Sequence, residues 1–173
     1  MSRAPVTESS LRPSEPEASP AVRNGRGLGW VVAQSVLMLA SIALAILYPG
    51  DWTRLSWSIA GGVLFLLGAW FGLAGVARLG RNRTAFPKPQ PGSVLVQDGI
   101  YGRVRHPLYT SVMLVAAGWA LIWQSPPALV ASLTLIPFFH AKARHEERLL
   151  LQAFSAYAAY ALRVPRFIPR LFR

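Results

Sequence analysis

Three stretches of this chain contain no charged side chain: Gly29–Tyr48, Trp57–Ala77 and Pro107–Ala141. Every Asp, Glu, Lys and Arg sits between or outside them. About 20 consecutive apolar residues cross the hydrocarbon core of a bilayer, so blocks this clean predict membrane spans. Composition agrees. The 173 residues are 53% hydrophobic and only 14% charged, where about 25% is usual for a soluble domain. Disorder over the whole chain is excluded, because a disordered chain is one too poor in apolar residues to build a core. The net charge of +11 would ordinarily suggest a nucleic-acid partner. Here the charge is segregated from the apolar blocks, and no nucleic-acid partner is expected. The chain has no cysteine, which excludes disulfides, thiolate catalysis and cysteine-ligated metal sites.

The predicted organisation has three parts. Residues 1–27, with Pro5, Pro13, Pro16 and Pro20 among Ser, Glu and Arg, read as a disordered tail. Residues 28–77 hold two transmembrane helices, stopped and restarted at Pro49-Gly50-Asp51, with Trp52 and Trp57 at interfacial depth. The second helix holds Gly68 and Gly72 at GxxxG spacing, which suits close helix packing within the chain. Residues 78–173 form the remaining core. It begins with a polar loop that Pro87, Pro89 and Pro91 keep extended, with Val94-Leu95-Val96 as a short extended piece. The third charge-free block is broken at Pro126-Pro127. It reads as a hairpin of two short helices, about 108–124 and 127–141, the second kinked at Pro137. An amphipathic helix over 142–160 and a basic tail follow. The fold class is all-α, with four transmembrane helices, the last two a short hairpin, plus a C-terminal amphipathic helix. Lys and Arg concentrate in the N-terminal tail, in residues 78–106 and in 142–173. The positive-inside rule therefore places both termini in the cytoplasm.

Two segments carry residues unusual beside a membrane. The first is Gly99-Ile-Tyr101-Gly-Arg103-Val-Arg105-His106-Pro107-Leu-Tyr109. Pro107 suits the first turn of a helix, which puts Arg105 and His106 at a helix N-terminus, where anions are favoured. The bland reading is a basic anchor with an aromatic belt. The second is Arg144-His145-Glu146-Glu147-Arg148. On one continuous helix, Glu146, Leu150, Ala153, Tyr157 and Tyr160 would share a face. The bland reading is a solvated surface helix. Together, a positive loop and a negative helix would complement a zwitterionic ligand, with His106 or a tyrosine placed to take up a proton. His106, His140 and His145 lack paired metal-ligand spacing, so no metal is expected.

The order Gly99-x-Tyr101-x-x-Val-Arg105-His106-Pro107-x-Tyr109 precedes a helical hairpin. After it come Glu146-Glu147-x-x-Leu150 and Phe154, then Tyr157-x-x-Tyr160-x-x-Arg163-Val-Pro165-Arg-x-Ile-Pro169. This pattern resembles the isoprenylcysteine carboxyl methyltransferase family of integral-membrane enzymes, including its short bacterial members. The likeness covers about residues 94–170. It implies S-adenosylmethionine as methyl donor, a lipophilic or lipidated acceptor from the bilayer, and a bacterial cytoplasmic membrane. It implies cofactor binding by Tyr101, Arg105, His106, Pro107, Tyr109, Glu146, Glu147, Tyr157, Tyr160 and Arg163, with His106 and Arg105 catalytic. Family members follow the Phe with Gly and acidic residues; here Phe154-Ser155-Ala156-Tyr157 is shorter and lacks the acid. Two other readings stand beside it. One is an NADPH-dependent membrane reductase of the sterol reductase type, which has a similar His-Pro-x-Tyr pattern. The other is a non-catalytic membrane module using basic loops on anionic lipid.

Overall fold

The computed structural model describes residues 25–51, 54–80 and 94–170. Residues 1–24 of the predicted disordered tail over 1–27, Trp52, the proline-rich stretch 81–93 and residues 171–173 lie outside the described residues, and residues 25–27 open the first helix instead. Among the described residues there are five α-helices and no strand. They are α1 (Gly25–Leu47), α2 (Leu55–Leu79), α3 (Pro107–Ile122), α4 (Pro126–Ala153) and α5 (Tyr157–Arg163), with a single 3-10 turn at Gly99–Gly102. The all-α expectation holds, and Val94–Val96 belongs to neither helix nor strand.

Two helices are long and apolar enough to cross a membrane, Gly27–Leu47 with mean hydropathy 2.2 and Leu55–Leu79 with 2.0. Their unpacked sides display Val36, Leu39, Leu66 and Leu73 to the exterior. Water does not tolerate so much contiguous exposed apolar surface, whereas hydrocarbon does. The protein is a membrane protein. The third apolar helix, α3, is shorter.

α2 lies along α3, and small residues set the distance. A Cβ at Gly61 would stand 2.7 Å from the Gly118 carbonyl oxygen, and one at Gly118 would stand 2.6 Å from that of Gly61. Gly68 and Gly72 meet Ser111 and Val115 on the same helix. The GxxxG spacing thus serves packing inside the chain. α1 lies against α4 and α3. The ends of these helices away from the charge cluster are tied together: Gly50 N–H donates to the Trp123 carbonyl (3.2 Å) and Gln124 Nε2 to Ser58 Oγ (3.0 Å). Ser125 Oγ donates to the Leu44 carbonyl (3.3 Å) and accepts from the Ala128 amide as the N-cap of α4.

Two boundaries differ from expectation. α4 is one helix from Pro126 to Ala153 and runs through Pro137. Packing against α1 and α3 holds it together where the proline removes one backbone hydrogen bond. The predicted amphipathic helix over 142–160 is instead broken at Phe154, whose backbone is extended (φ −132, ψ 113). The seven-residue α5 then turns so that Tyr157, Tyr160 and Val164 pack with Leu95, Leu150 and Phe154. Burying those rings outweighs continuing the helix. The charge-free part of α4 ends at Ala141, and Lys142–Ala153 continues beyond it with the charges.

Candidate active site

The site begins at a turn. Gly99 has φ +57, a left-handed conformation that glycine adopts without steric cost. The Arg78 side chain passes 3.3 Å from where its Cβ would be, and pairs with Asp98. The turn directs Ile100, Tyr101 and Val104 onto Phe71 of α2. From there the chain bends at Arg105 and reaches Pro107, the first residue of α3.

Along that run two segments far apart in sequence are joined through their backbones. The Arg105 amide donates to the Pro165 carbonyl (2.9 Å) and the His106 amide to the Arg166 carbonyl (3.0 Å). Thr110 Oγ1 donates to the Phe167 carbonyl (2.9 Å). Residues 164–167 are thereby fixed against the start of α3, and α4 brings its carboxylates to the same place.

Glu147 is the centre of the resulting cluster. Arg166 binds it with both ends of its guanidinium, Nε to Oε1 at 2.9 Å and Nη2 to Oε2 at 2.6 Å. Arg105 Nη2 and His106 Nε2 each lie 3.1 Å from Oε1. Burial alone would raise this carboxyl; the hydrogen bonds from His106 and Arg166 and the nearby Arg105 overrule it and hold it down at about 2. Arg105 also donates through Nη1 to the Ala161 carbonyl (2.8 Å), which ties α5 to the cluster.

Glu146 points to the other side of His106. The Tyr109 hydroxyl donates to it, and His106 Nδ1 is 3.7 Å from its Oε2. Burial pushes this carboxyl up, opposed by His106, the Tyr109 hydrogen bond, Lys142 and His145. His106 therefore stands between two adjacent carboxylates, and its ring lies parallel to that of Tyr109, 5.2 Å between centroids.

Tyr160 donates to the Tyr101 carbonyl (2.7 Å), and Tyr157 packs edge-on against Tyr160 at 5.7 Å. Burial raises the hydroxyls of both, and that of Tyr101 to about 12. All three remain neutral phenols at physiological pH. The buried Tyr157 hydroxyl and Arg105 Nε have no hydrogen-bond partner among the described residues. Buried polar groups are almost always satisfied, so two unsatisfied ones in one cluster suit a ligand.

Nine of the ten residues named from sequence thus converge. Tyr101, Arg105, His106, Pro107 and Tyr109 lie on the turn and the start of α3, Glu146 and Glu147 on α4, Tyr157 and Tyr160 on α5. Tyr157 and Tyr160 do not share a helix with Glu146, as one continuous helix would have required. Arg163 is exposed and reaches Gln97 Oε1 (3.4 Å) rather than the carboxylates. Arg166, three residues on, makes the bidentate contact. From sequence it reads as one more basic residue of the tail; its place beside Pro165 in the closing motif is the signal that could have found it.

The chain matches the phospholipid methyltransferase family over residues 57–157, from α2 to the first residue of α5. It is 27% identical to protein-S-isoprenylcysteine O-methyltransferase B of Arabidopsis thaliana, over 81% of this chain and 73% of the plant protein. It is 38% identical to the cobalt-zinc-cadmium resistance protein CzcN of Cupriavidus metallidurans, over 46% of this chain and 37% of that protein. The protein-S-isoprenylcysteine O-methyltransferase of Schizosaccharomyces pombe is also 38% identical, over 44% of this chain and 33% of its own. The chain thus spans only about a third of the length of the latter two. The family region takes in both motif segments, Tyr101–Tyr109 and Glu146–Glu147, while Tyr160 and Arg166 lie beyond it. The chain belongs to the phospholipid methyltransferase family and, within it, is similar to the protein-S-isoprenylcysteine O-methyltransferases.

Proposed function

We propose that this protein is an S-adenosylmethionine-dependent methyltransferase that acts on a lipophilic acceptor at the membrane. The observation that carries the reading is the pairing of the Glu146–Glu147 carboxylates with Arg105, Arg166 and His106, next to the unpartnered Tyr157 hydroxyl and Arg105 Nε. A zwitterionic ligand needs both signs of charge, and this cluster presents both. Glu146 or Glu147 would take an ammonium group, and Arg105 or Arg166 a carboxylate. Tyr101, Tyr109, Tyr157 and Tyr160 offer ring faces for an adenine or a sulfonium. Pro107 shapes the wall, and Arg163 stands at the outer edge toward Gln97. S-adenosylmethionine supplies an electrophilic methyl group when bound.

The work left to the protein is to hold donor and acceptor in line and to keep water out. A carboxylate acceptor needs no base. A phenol, thiol or amine must lose a proton, and His106 would receive it at Nδ1, which makes no hydrogen bond to Glu146 at 3.7 Å, while Nε2 is held by Glu147. The arrangement we infer has four crossings, α1, α2, α3 and the charge-free part of α4. It places residues 1–27, the 78–106 segment and residues 142–173 on the cytoplasmic face of a bacterial inner membrane, as the Lys and Arg distribution supports.

Calorimetry of the detergent-purified protein with S-adenosylhomocysteine, and separately with NADPH, tests the reading. Saturable binding of S-adenosylhomocysteine alone is expected. Arg105→Ala and Glu147→Gln should abolish it while the protein still elutes as a single folded species. Binding of NADPH alone would replace the reading with a reductase, and binding of neither would favour a non-catalytic module.

A further inference from the structure

Glu147 is surrounded by cations, but its neighbour Glu146 is not. No arginine lies within ion-pair distance of Glu146 among the described residues; it has the Tyr109 hydroxyl and the more distant His106 Nδ1. A carboxylate removed from water without a matching cation takes up a proton instead. One helical turn before it, on the same face of α4, stands Lys142, only 3% exposed. A buried ammonium beside a membrane is costly, and where it occurs it points to function. Its Nζ donates to Oε1 of Gln34 on α1 (2.6 Å) and lies 5.0 Å from the centroid of the Tyr109 ring. That ring is stacked on His106 and, at 4.6 Å, on Phe139. An ammonium has three donors, and the bond to neutral Gln34 uses one. Burial lowers the pKa of the Lys142 ammonium, and the negative charge that opposes this is that of Glu146. The other titratable groups facing Glu146 are His106 and Tyr109 from the start of α3, Tyr101 from the turn, and His145 and Glu147 from α4.

We propose that Lys142 is a positioning residue of the site: anchored on Gln34, it is the buried positive charge that keeps Glu146 a carboxylate and holds the Tyr109 ring in its stack on His106. The first helix is then part of the active site. Gln34 lies outside the region that matches the family, residues 57–157, so the family likeness does not assign it this role. The expected effect on ligand affinity rests on the cofactor reading above; the charge state of Glu146 does not.

The test uses the full chain in detergent and two readouts. Infrared spectroscopy near neutral pH detects a protonated carboxyl, assigned to Glu146 by its loss in a Glu146→Gln background. Calorimetry gives the affinity for S-adenosylhomocysteine. The native protein should lack the Glu146 carboxylic-acid band. Lys142→Met should gain it and lose affinity by about tenfold or more, the scale of one charge-assisted hydrogen bond to the ligand. Lys142→Arg should restore both. A Lys142→Met protein without the band overturns the proposal, whether or not its affinity falls, because weaker binding alone marks a packing role. A native protein that already shows the band overturns it as well. If Lys142→Met does not fold, Gln34→Leu removes the anchor instead and should produce the same band; its absence there overturns the proposal. A native protein that binds no S-adenosylhomocysteine removes the cofactor reading, and the infrared result still decides the role of Lys142.

Discussion

Along its α2 side, α3 meets one glycine after another. Gly61, Gly68, Gly72 and Gly75 let the two backbones approach until no side chain fits between them. At its N-terminal end, the same helix enters a cluster of Arg105, His106, Glu146, Glu147 and Arg166, all with little exposure. The first interface gains dispersion over its whole length and buries few polar groups. The second takes charges out of water and recovers the cost only through mutual pairing. Apolar side chains of similar volume would hold the fold at least as well at that position. The comparison separates the part of the molecule that holds its shape from the part shaped for a ligand.

The sharpest way to break that comparison is to remove the hub. Glu147→Ala leaves Arg105, Arg166 and His106 facing one another without a counter-charge. It should lower stability in detergent by about 3–5 kcal/mol, measured by thermal or denaturant unfolding. The same carboxylate can be removed by acid. Its folded pKa of about 2 lies below the ordinary glutamate value of about 4.3. Its stabilisation is therefore complete above the ordinary value and is lost as pH falls toward about 2. The melting temperature should fall through that window, and Glu147→Gln should flatten the fall. A native profile no steeper than that of the variant would remove Glu147 from the centre of the cluster.

Arg166 and Arg163 make a finer contrast. Arg166→Ala breaks a bidentate contact and should cost about 1.5–3 kcal/mol together with S-adenosylhomocysteine affinity. Arg163→Ala, on the exposed side of α5, should stay within about 0.5 kcal/mol. Equal losses from the two would mean that the cluster is less local than its geometry. On the glycine side, Gly61→Ile forces a branched side chain into the α3 backbone and should cost about 1–3 kcal/mol. Gly62→Ile, with nothing within 4 Å of its Cβ position, should leave the unfolding midpoint unchanged.

Much of the fold was legible because a bilayer makes unusually simple demands. A charge-free block of bilayer length predicts a helix, and α1, α2 and α3 follow the blocks closely. The motif residues of the site were legible for a different reason: their order resembled a known family. The errors fall where packing decides. The end of the charge-free block at Ala141 reads as the end of a helix, yet α4 passes through it to Ala153. Residues 142–160 read as one amphipathic helix, yet the chain turns at Phe154 to bury Tyr157 and Tyr160. Arg163 and Arg166 carry the same charge, and only the place of Arg166 directly after Pro165 hints at which of them faces Glu147.

The sequence alone determined that this chain is helical and embedded in a membrane, and that its basic and acidic residues gather in two segments. Hydrophobicity and charge are properties of residue types, and the bilayer responds to them one stretch at a time. Only the tertiary structure decided which cations pair with which carboxylate. It set Lys142 and Gln34 beside Tyr109, and left the Tyr157 hydroxyl without a hydrogen-bond partner among the described residues. Those facts depend on distances between segments up to 108 residues apart, and the helix interfaces, rather than any local preference, set those distances.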